Sequence, residues 1–405
     1  MFERLRNIGP GALVAAAFIG PGTVTTSTLA GANFGYALIW ALVFATVATV
    51  VLQEMSSRLG TVGQLGLGAA IRDTLQNSVW RWPVFATVLI AIFIGNCAYE
   101  AGNIAGATAG VITLTGIDAS ATPAVVAGIF ILSLLLLSAG SYRLVERTLL
   151  GLVLLMAVAF IVTFAMVRPA WGELFRGAFV PSLPDGSLLT VIALIGTTIV
   201  PYNLFLHASA AKARWRGGND VAEARFDTTV SIGLGGLIAI LIVCTAAAGL
   251  FAAGHTVENA ADMARQLEGV FGSASKILLG TGLFAAGLTS AIAAPLATAF
   301  VVTEILGLDT DVRSRGFRGT AACVLLSGSL LAVTGIRPIE LIVTAQFANG
   351  LLLPFVAGFL LLVMNQPKLL GTYVNGRLAN VLGAGVLLVT AGLGIRLLVR
   401  SLGWL

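Results

Sequence analysis

The stretch Phe18-Ile19-Gly20-Pro21-Gly22-Thr23-Val24-Thr25-Thr26-Ser27 decides the fold, because it interrupts an apolar helix at membrane depth. Proline removes a donor from the helical ladder and clashes with the preceding turn, while the two glycines add backbone freedom. Lipid cannot satisfy the freed backbone groups; only protein or a water-filled cavity can. Two readings fit: a proline kink packed against neighbours, or a discontinuous helix that lines a binding site. The hydroxyls of Thr23, Thr25, Thr26 and Ser27 fall in the first turns of the second half-helix, where N–H groups lack partners and the dipole is positive.

A second break favours the site. Thr197-Thr198-Ile199-Val200-Pro201-Tyr202-Asn203 places another proline inside an apolar run from Leu188 to Ala211. Pro21 and Pro201 lie 180 positions apart, each in the first span of one half of the chain. Paired interruptions at corresponding positions point to the solute site of a transporter built from two repeats.

Composition sets the solvent. With 58% hydrophobic and 10% charged residues among 405, and a mean hydropathy of +0.98, the chain reads as polytopic in a membrane. Residues 7–53 hold no Asp, Glu, Lys or Arg, room for two spans of about 20 residues each. Arg4 and Arg6 precede a run longer than a signal-peptide core, so no cleaved leader is expected. Cys97, Cys244 and Cys323 sit in apolar segments without metal or disulfide spacing and read as buried small hydrophobes.

Apolar runs give eleven expected spans, near 9–33 (broken), 37–59, 83–116, 122–140, 146–167, 187–212 (broken), 229–252, 275–306, 317–335, 339–364 and 378–400. With the amino terminus inside, sixteen of the 23 Lys and Arg fall on the inner side. The positive-inside rule then expects a cytoplasmic amino terminus and an outer carboxyl terminus in a cell membrane. Short helices are expected in 61–82, with Trp80 and Trp82 as anchors, and in 253–273, whereas 168–186 reads as an outer loop. Gly233, Gly235, Gly236, Gly392 and Gly394 read as packing faces. The whole chain 1–405 is one expected domain, with a repeat over about 9–167, an inverted repeat over about 187–364 and an extra helix over about 378–400.

These residues resemble the Nramp family of proton-coupled divalent-metal transporters, which use the LeuT-type fold. The likeness rests on Gly9-Pro10-Gly11, Pro21-Gly22, Leu29-Ala30-Gly31-Ala32, Phe34-Gly35-Tyr36, Leu52-Gln53 and Arg58-Leu59-Gly60. In the sixth span Pro201, Asn203, Leu204, Leu206 and His207 keep the family's Met-Pro-His-Asn-Leu-Tyr-Leu-His pattern, and Val200, Tyr202 and Phe205 depart from it. Gln346, Leu353-Pro354-Phe355, Gly371 and Asn375 continue it, so the resemblance covers nearly the whole chain.

The family's metal-binding residues are the ones that differ. Its Asp-Pro-Gly-Asn is Gly20-Pro21-Gly22-Thr23 here, its sixth-span methionine is Val200 and the neighbouring histidine is Tyr202. Transition metals favour imidazole, thioether or thiolate, and hard cations favour charged oxygens; no metal ligand is therefore assigned. The expected substrate site comprises Gly20, Gly22, Thr23, Thr26, Thr198, Val200, Tyr202, Asn203 and Gln346. Two half-helix amino ends and neutral hydrogen-bonding groups favour a small organic anion or amino-acid-like solute, with a magnesium- or manganese-type cation as the alternative.

Glu100 is a carboxylate well inside the third span, a placement that is functional by default. The resemblance implies a proton route there, although the family's preceding aspartate is Cys97. The expected proton pathway is Glu100, Asn96 and His207, with a coupling proton; the other reading of Glu100 is a structural carboxyl. Glu54 and Glu304 are expected to pair with arginines. Thr289, Ser290, Thr344 and Asn349 are further residues of spans eight and ten whose facing the sequence leaves open. Channels need a ring of selectivity groups, and enzymes need clustered nucleophiles or acids; neither pattern is present. No cofactor or nucleic-acid partner is expected, and the third class is a non-transporting scaffold or receptor.

Overall fold

The computed structural model describes residues 9–139 and 143–401, so Arg4, Arg6 and the end of the 122–140 span at Gly140 lie outside the described residues. Among the described residues the regular elements are helical and there is no strand. The first span is split into α1 (Pro10–Phe18) and α2 (Pro21–Phe34), followed by α3 (Ile39–Arg58), a short α4 (Leu67–Thr74), α5 (Arg81–Thr115), α6 (Thr122–Ala139), α7 (Arg143–Met166) and a short α8 (Trp171–Phe179). The sixth span is split into α9 (Leu188–Thr198) and α10 (Pro201–Arg214). Then come α11 (Val221–Ala246), α12 (Ala260–Phe271), α13 (Ala274–Leu306), α14 (Arg315–Ala332), α15 (Pro338–Met364), α16 (Pro367–Leu370) and α17 (Arg377–Ser401).

Local chemistry sets these bounds. Pro10, Pro21, Pro201 and Pro338 each open a helix at a position where a missing N–H costs nothing. Asn259 and Ser314 cap α12 and α14 by accepting from the backbone N–H groups of Asp262 and Phe317. Gly116 and Gly307, with φ of 66° and 69°, stop the long helices α5 and α13 in the left-handed region that favours glycine.

Nine helices among the described residues are long and apolar enough to cross a membrane. The remaining two of the eleven spans are the first, whose halves have 9 and 14 residues, and α14, which carries Arg315 and Arg318 in its first turn. Large apolar side chains such as Ile94, Leu135, Leu154 and Leu388 are exposed on the outside of the bundle, as a lipid-facing surface requires.

The packing repeats itself when the helices of the first half are exchanged for those of the second. Helix α3 lies on α11 and α5 on α13; α5 also packs on α15 and α14, as α13 does on α7 and α6. The broken first span packs on α11, and the broken sixth span packs on α3. Two five-span halves with this exchange form the LeuT-type fold, and α17 is added along α15 and α9.

Several expectations need correction. The 168–186 segment holds helix α8 rather than only loop. Gly236 does close on Thr46, but a Cβ on Gly233 or Gly392 would meet open space, so those two are not packing positions. Glu54 pairs with Arg58 and Arg225, at 3.1 and 2.7 Å. Glu304 does not pair in this way: its carboxylate accepts from Gly68 N, Ala69 N and Ser209 Oγ, and only its backbone carbonyl takes Arg72. Of the residues whose facing the sequence leaves open, Thr344 is exposed and the half-buried Thr289 donates to Ala285 O, whereas Ser290 and Asn349 are buried.

The loops before α9 and after α10 end opposite ends of one span. On a background with the exposed Cys323 replaced by serine, Ser182→Cys should react with an impermeant maleimide from outside intact cells and Asn219→Cys only after permeabilisation. Labelling of both from one side would overturn the expected orientation.

Candidate functional site

The two breaks have the same backbone form. Ile19 and Ile199 end α1 and α9 with φ/ψ of −76°/58° and −98°/74°, each N–H bonding to the carbonyl four residues back at 3.0 and 2.8 Å. Gly20 and Val200 then run extended before Pro21 and Pro201 start the next half-helix. Two unwound residues per half therefore bring one carbonyl end and one N–H end of a helix together.

The breaks are joined to each other. Thr23 Oγ1 and Thr197 Oγ1 lie 3.0 Å apart, a hydrogen bond between the first and sixth spans. Around it Thr23, Thr26, Ser27, Val200, Tyr202 and Asn203 are all buried, so the region is closed to solvent in this conformation. The third, eighth and tenth spans complete the walls. A Cβ on Gly20 would lie 3.0 Å from Ser290 Oγ of α13 and 3.8 Å from Tyr99 Oη of α5. One on Gly22 would overlap the Gln346 amide of α15, so that amide occupies the space beside Gly22. Tyr99 and Tyr202 meet edge to face at 5.3 Å between centroids.

Of the residues expected to bind substrate, Gly20, Gly22, Thr23, Val200, Tyr202, Asn203 and Gln346 surround this junction. Thr26 is buried one turn further along α2, and its Oγ1 has no partner among the described residues. Thr198 instead donates its hydroxyl to Leu194 O at 3.0 Å, and the neighbouring Thr197 faces Thr23. Both side-chain polar atoms of Asn203, and Oε1 of Gln346, are buried without a partner among the described residues. Such groups are costly unless a ligand or water completes them.

The three residues of the expected proton pathway do not form one chain. Glu100 Oε2 accepts from Asn103 Nδ2 at 3.3 Å, and Gly328 of α14 closes on the aliphatic part of its side chain. Asn96 donates instead to Thr298 Oγ1 at 2.6 Å, and His207 Nδ1 meets Gln53 Oε1 at 2.9 Å. These are three separate pairs. Thr197 and Tyr99 are the site residues that sequence reasoning did not single out, whereas Ser290 was named there with its facing left open. The pairing of Thr197 with Thr23 has no sequence signal beyond the break itself, and the facing of Ser290 has none along its helix.

Chemically the junction offers hydroxyl and amide groups, two helix carbonyl ends and two N–H ends. No group of three or more His, Cys, Asp or Glu close enough to hold a metal ion occurs among the described residues. A stripped divalent cation would meet neutral oxygens only.

Known proteins place this architecture. A sequence model of the family described as Nramp, natural resistance-associated macrophage protein-like, matches residues 11–400. The chain is 28% identical to divalent metal cation transporters MntH from Yersinia pestis (strain Pestoides F) and Klebsiella pneumoniae (strain 342); the alignments cover 98% of this chain and 96% and 95% of those proteins. It superposes on a crystal structure of the Eremococcus coleocola manganese transporter with a TM-score of 0.73 at 23% identity, covering 95% of this chain and 84% of that one. It also superposes on Mhp1, a nucleobase-cation-symport-1 family transporter in a closed conformation with bromovinylhydantoin bound, with a TM-score of 0.53 at 14% identity, over 97% of this chain and 93% of that one. The sequence match runs through both broken helices and nearly end to end: this chain belongs to the Nramp family.

Proposed function

We propose that this membrane transporter carries a divalent metal cation across the cell membrane by alternating access, and that the ion keeps part of its water shell in the site. The supporting observation is the neutral oxygen junction of two broken helices, in a chain whose relatives named divalent metal cation transporters match it over 98% of its length. Removing all water from a divalent ion beside uncharged ligands carries a penalty of several kcal/mol, which neutral hydroxyls do not offset. Magnesium keeps several of its waters and tolerates such contacts, whereas manganese and iron gain more from soft or charged ligands. Thr23, Thr197, Gln346 and Asn203 would then bond to retained waters, with the carbonyl ends of α1 and α9 supplying partial negative charge.

The organic-anion reading drawn from the missing carboxylate finds no support among these relatives. It remains a distinct outcome of the same experiment. Purified protein in liposomes should take up magnesium saturably, and calorimetry should show no micromolar manganese binding. A micromolar manganese isotherm abolished by Thr23→Ala or Tyr202→Phe would overturn the hydrated-ion reading. Uptake of small carboxylates with no cation flux would overturn the cation reading itself.

We further propose that Glu100 takes up and releases the coupling proton, since one of its oxygens is buried without a partner among the described residues. Glu100→Gln keeps size and hydrogen bonding without titrating. It should flatten the pH dependence of uptake while leaving cation-induced thermal stabilisation within about twofold of wild type in half-saturating concentration. An unchanged pH profile would reduce Glu100 to a structural role.

A further inference from the structure

At position 20 the first broken helix carries no side chain, and the space its Cβ would fill is bordered by hydroxyls from two other helices. Ser290 Oγ would stand 3.0 Å from that Cβ and Tyr99 Oη 3.8 Å from it. Ser290 is completely buried, and its Oγ has no partner among the described residues. The usual outlet for a hydroxyl in a helix is the carbonyl four residues back. Along the same α13, Thr281, Thr289, Thr298 and Thr303 all take it, bonding Ile277 O, Ala285 O, Ala294 O and Ala299 O at 2.6 to 2.8 Å. Ser290 does not. Its hydroxyl is aimed at the unwound Gly20 instead, at the point where the carbonyl end of α1 meets the N–H end of α2.

A buried hydroxyl that forgoes its own helix needs a partner from elsewhere. The enclosing groups narrow what that partner is. Tyr99 is fixed edge-on against Tyr202, and Gln346 fills the space beside Gly22, so hydroxyl and amide groups surround the first break near Gly20. We infer that Ser290 is a substrate-contact residue: its Oγ reaches the transported cation, or a water that the cation keeps, beside the unwound Gly20. This rests on the cation reading above and adds the eighth span to the site. It also makes Ser290 a determinant of selectivity, because the atom at that position decides whether the site is hard or soft.

The test uses the full-length protein in liposomes. Ser290→Ala should raise the KM for magnesium by about three- to tenfold, the loss of one hydrogen bond to the cargo, with the maximal rate kept. Ser290→Cys, which preserves size, should raise cadmium uptake relative to magnesium several-fold through its soft sulfur. If Ser290→Ala does not fold, Ser290→Cys alone decides. A purely structural serine predicts unchanged KM in the first variant and an unchanged cadmium to magnesium ratio in the second, and that pair of results overturns the inference. Absence of any cation uptake by the wild-type protein would instead overturn the proposed function, before the variants are compared.

Discussion

Backbone groups freed at two helix breaks, in a solvent that cannot hydrogen-bond, constrain everything else in this chain. The residues around the breaks restore what they can locally: Val24 N reaches Gly20 O at 3.3 Å, and Asn203 N reaches Val200 O at 3.1 Å. The rest must come from burial against other helices, which demands close approach. Gly106 of α5 has no room for a Cβ because Pro21 packs directly on it, and Gly196 of α9 is pressed against Gln346 O and Gly350. Small residues at those two positions let α5 and α15 come near enough to enclose the broken spans. That closeness also delivers Tyr99 and Gln346 to the junction. Packing and site are thus consequences of one requirement.

Away from the junction, buried polar contacts tie the broken spans and their neighbours together. Asp227 of α11 accepts from Gly9 N at 2.9 Å and Gly11 N at 2.6 Å, and so caps the start of α1 from another helix. Arg58 is almost completely buried and donates to Tyr373 O, Asn375 Oδ1 and Glu54. Glu304 ties α13 to α4 and α10 through two backbone N–H groups and Ser209. Midway along α2, Gln266 of α12 donates to Thr28 Oγ1 and accepts from Thr245. Breaking a buried charge network of this kind costs several kcal/mol when one partner is left unpaired. Hydrogen bonds of one to two atoms each, such as those of Gln266, are cheaper to exchange. The broken first span is held by contacts of both kinds, from Asp227 at the start of α1 and from Gln266 on α2, and the alternating access proposed above would exchange the second more readily than the first.

The eleven spans were legible because prolines, glycines and charges punctuate long apolar runs, and that punctuation is a local property. The junction between Thr23 and Thr197 was not legible, since a contact across 174 positions depends on helix rotation that no local pattern encodes. Thr198 was the natural choice from the break itself, yet one residue of rotation turns it back to Leu194 O. Gln346 entered the expected site only through the resemblance, which carries long-range information, and its amide lies beside Gly22. Glu304 misled for the opposite reason: a carboxylate near basic residues suggests an ion pair, but two backbone N–H groups at the start of α4 and a serine stood closer than any arginine side chain.

The missing carboxylate changes more than affinity. Where a site carboxylate holds the ion, cation and proton compete for one group, and their exchange is coupled by that competition. Here the junction has no such group among the described residues, and the buried carboxylate of Glu100 lies on the face of α5 that Gly328 covers. Tyr99, its neighbour in sequence, is the residue that reaches the junction and touches Tyr202. On the function proposed above, a proton at Glu100 and an ion at Gly20 would not share a ligand, and movement of α5 is a route by which the two places could be coupled. A helix packed on both α13 and α14 is suited to that role, because a shift that opens the Gly328 contact also moves Tyr99. Coupling of this mechanical kind is looser than competition for a shared ligand, and the hydrated ion proposed above would demand no tighter one.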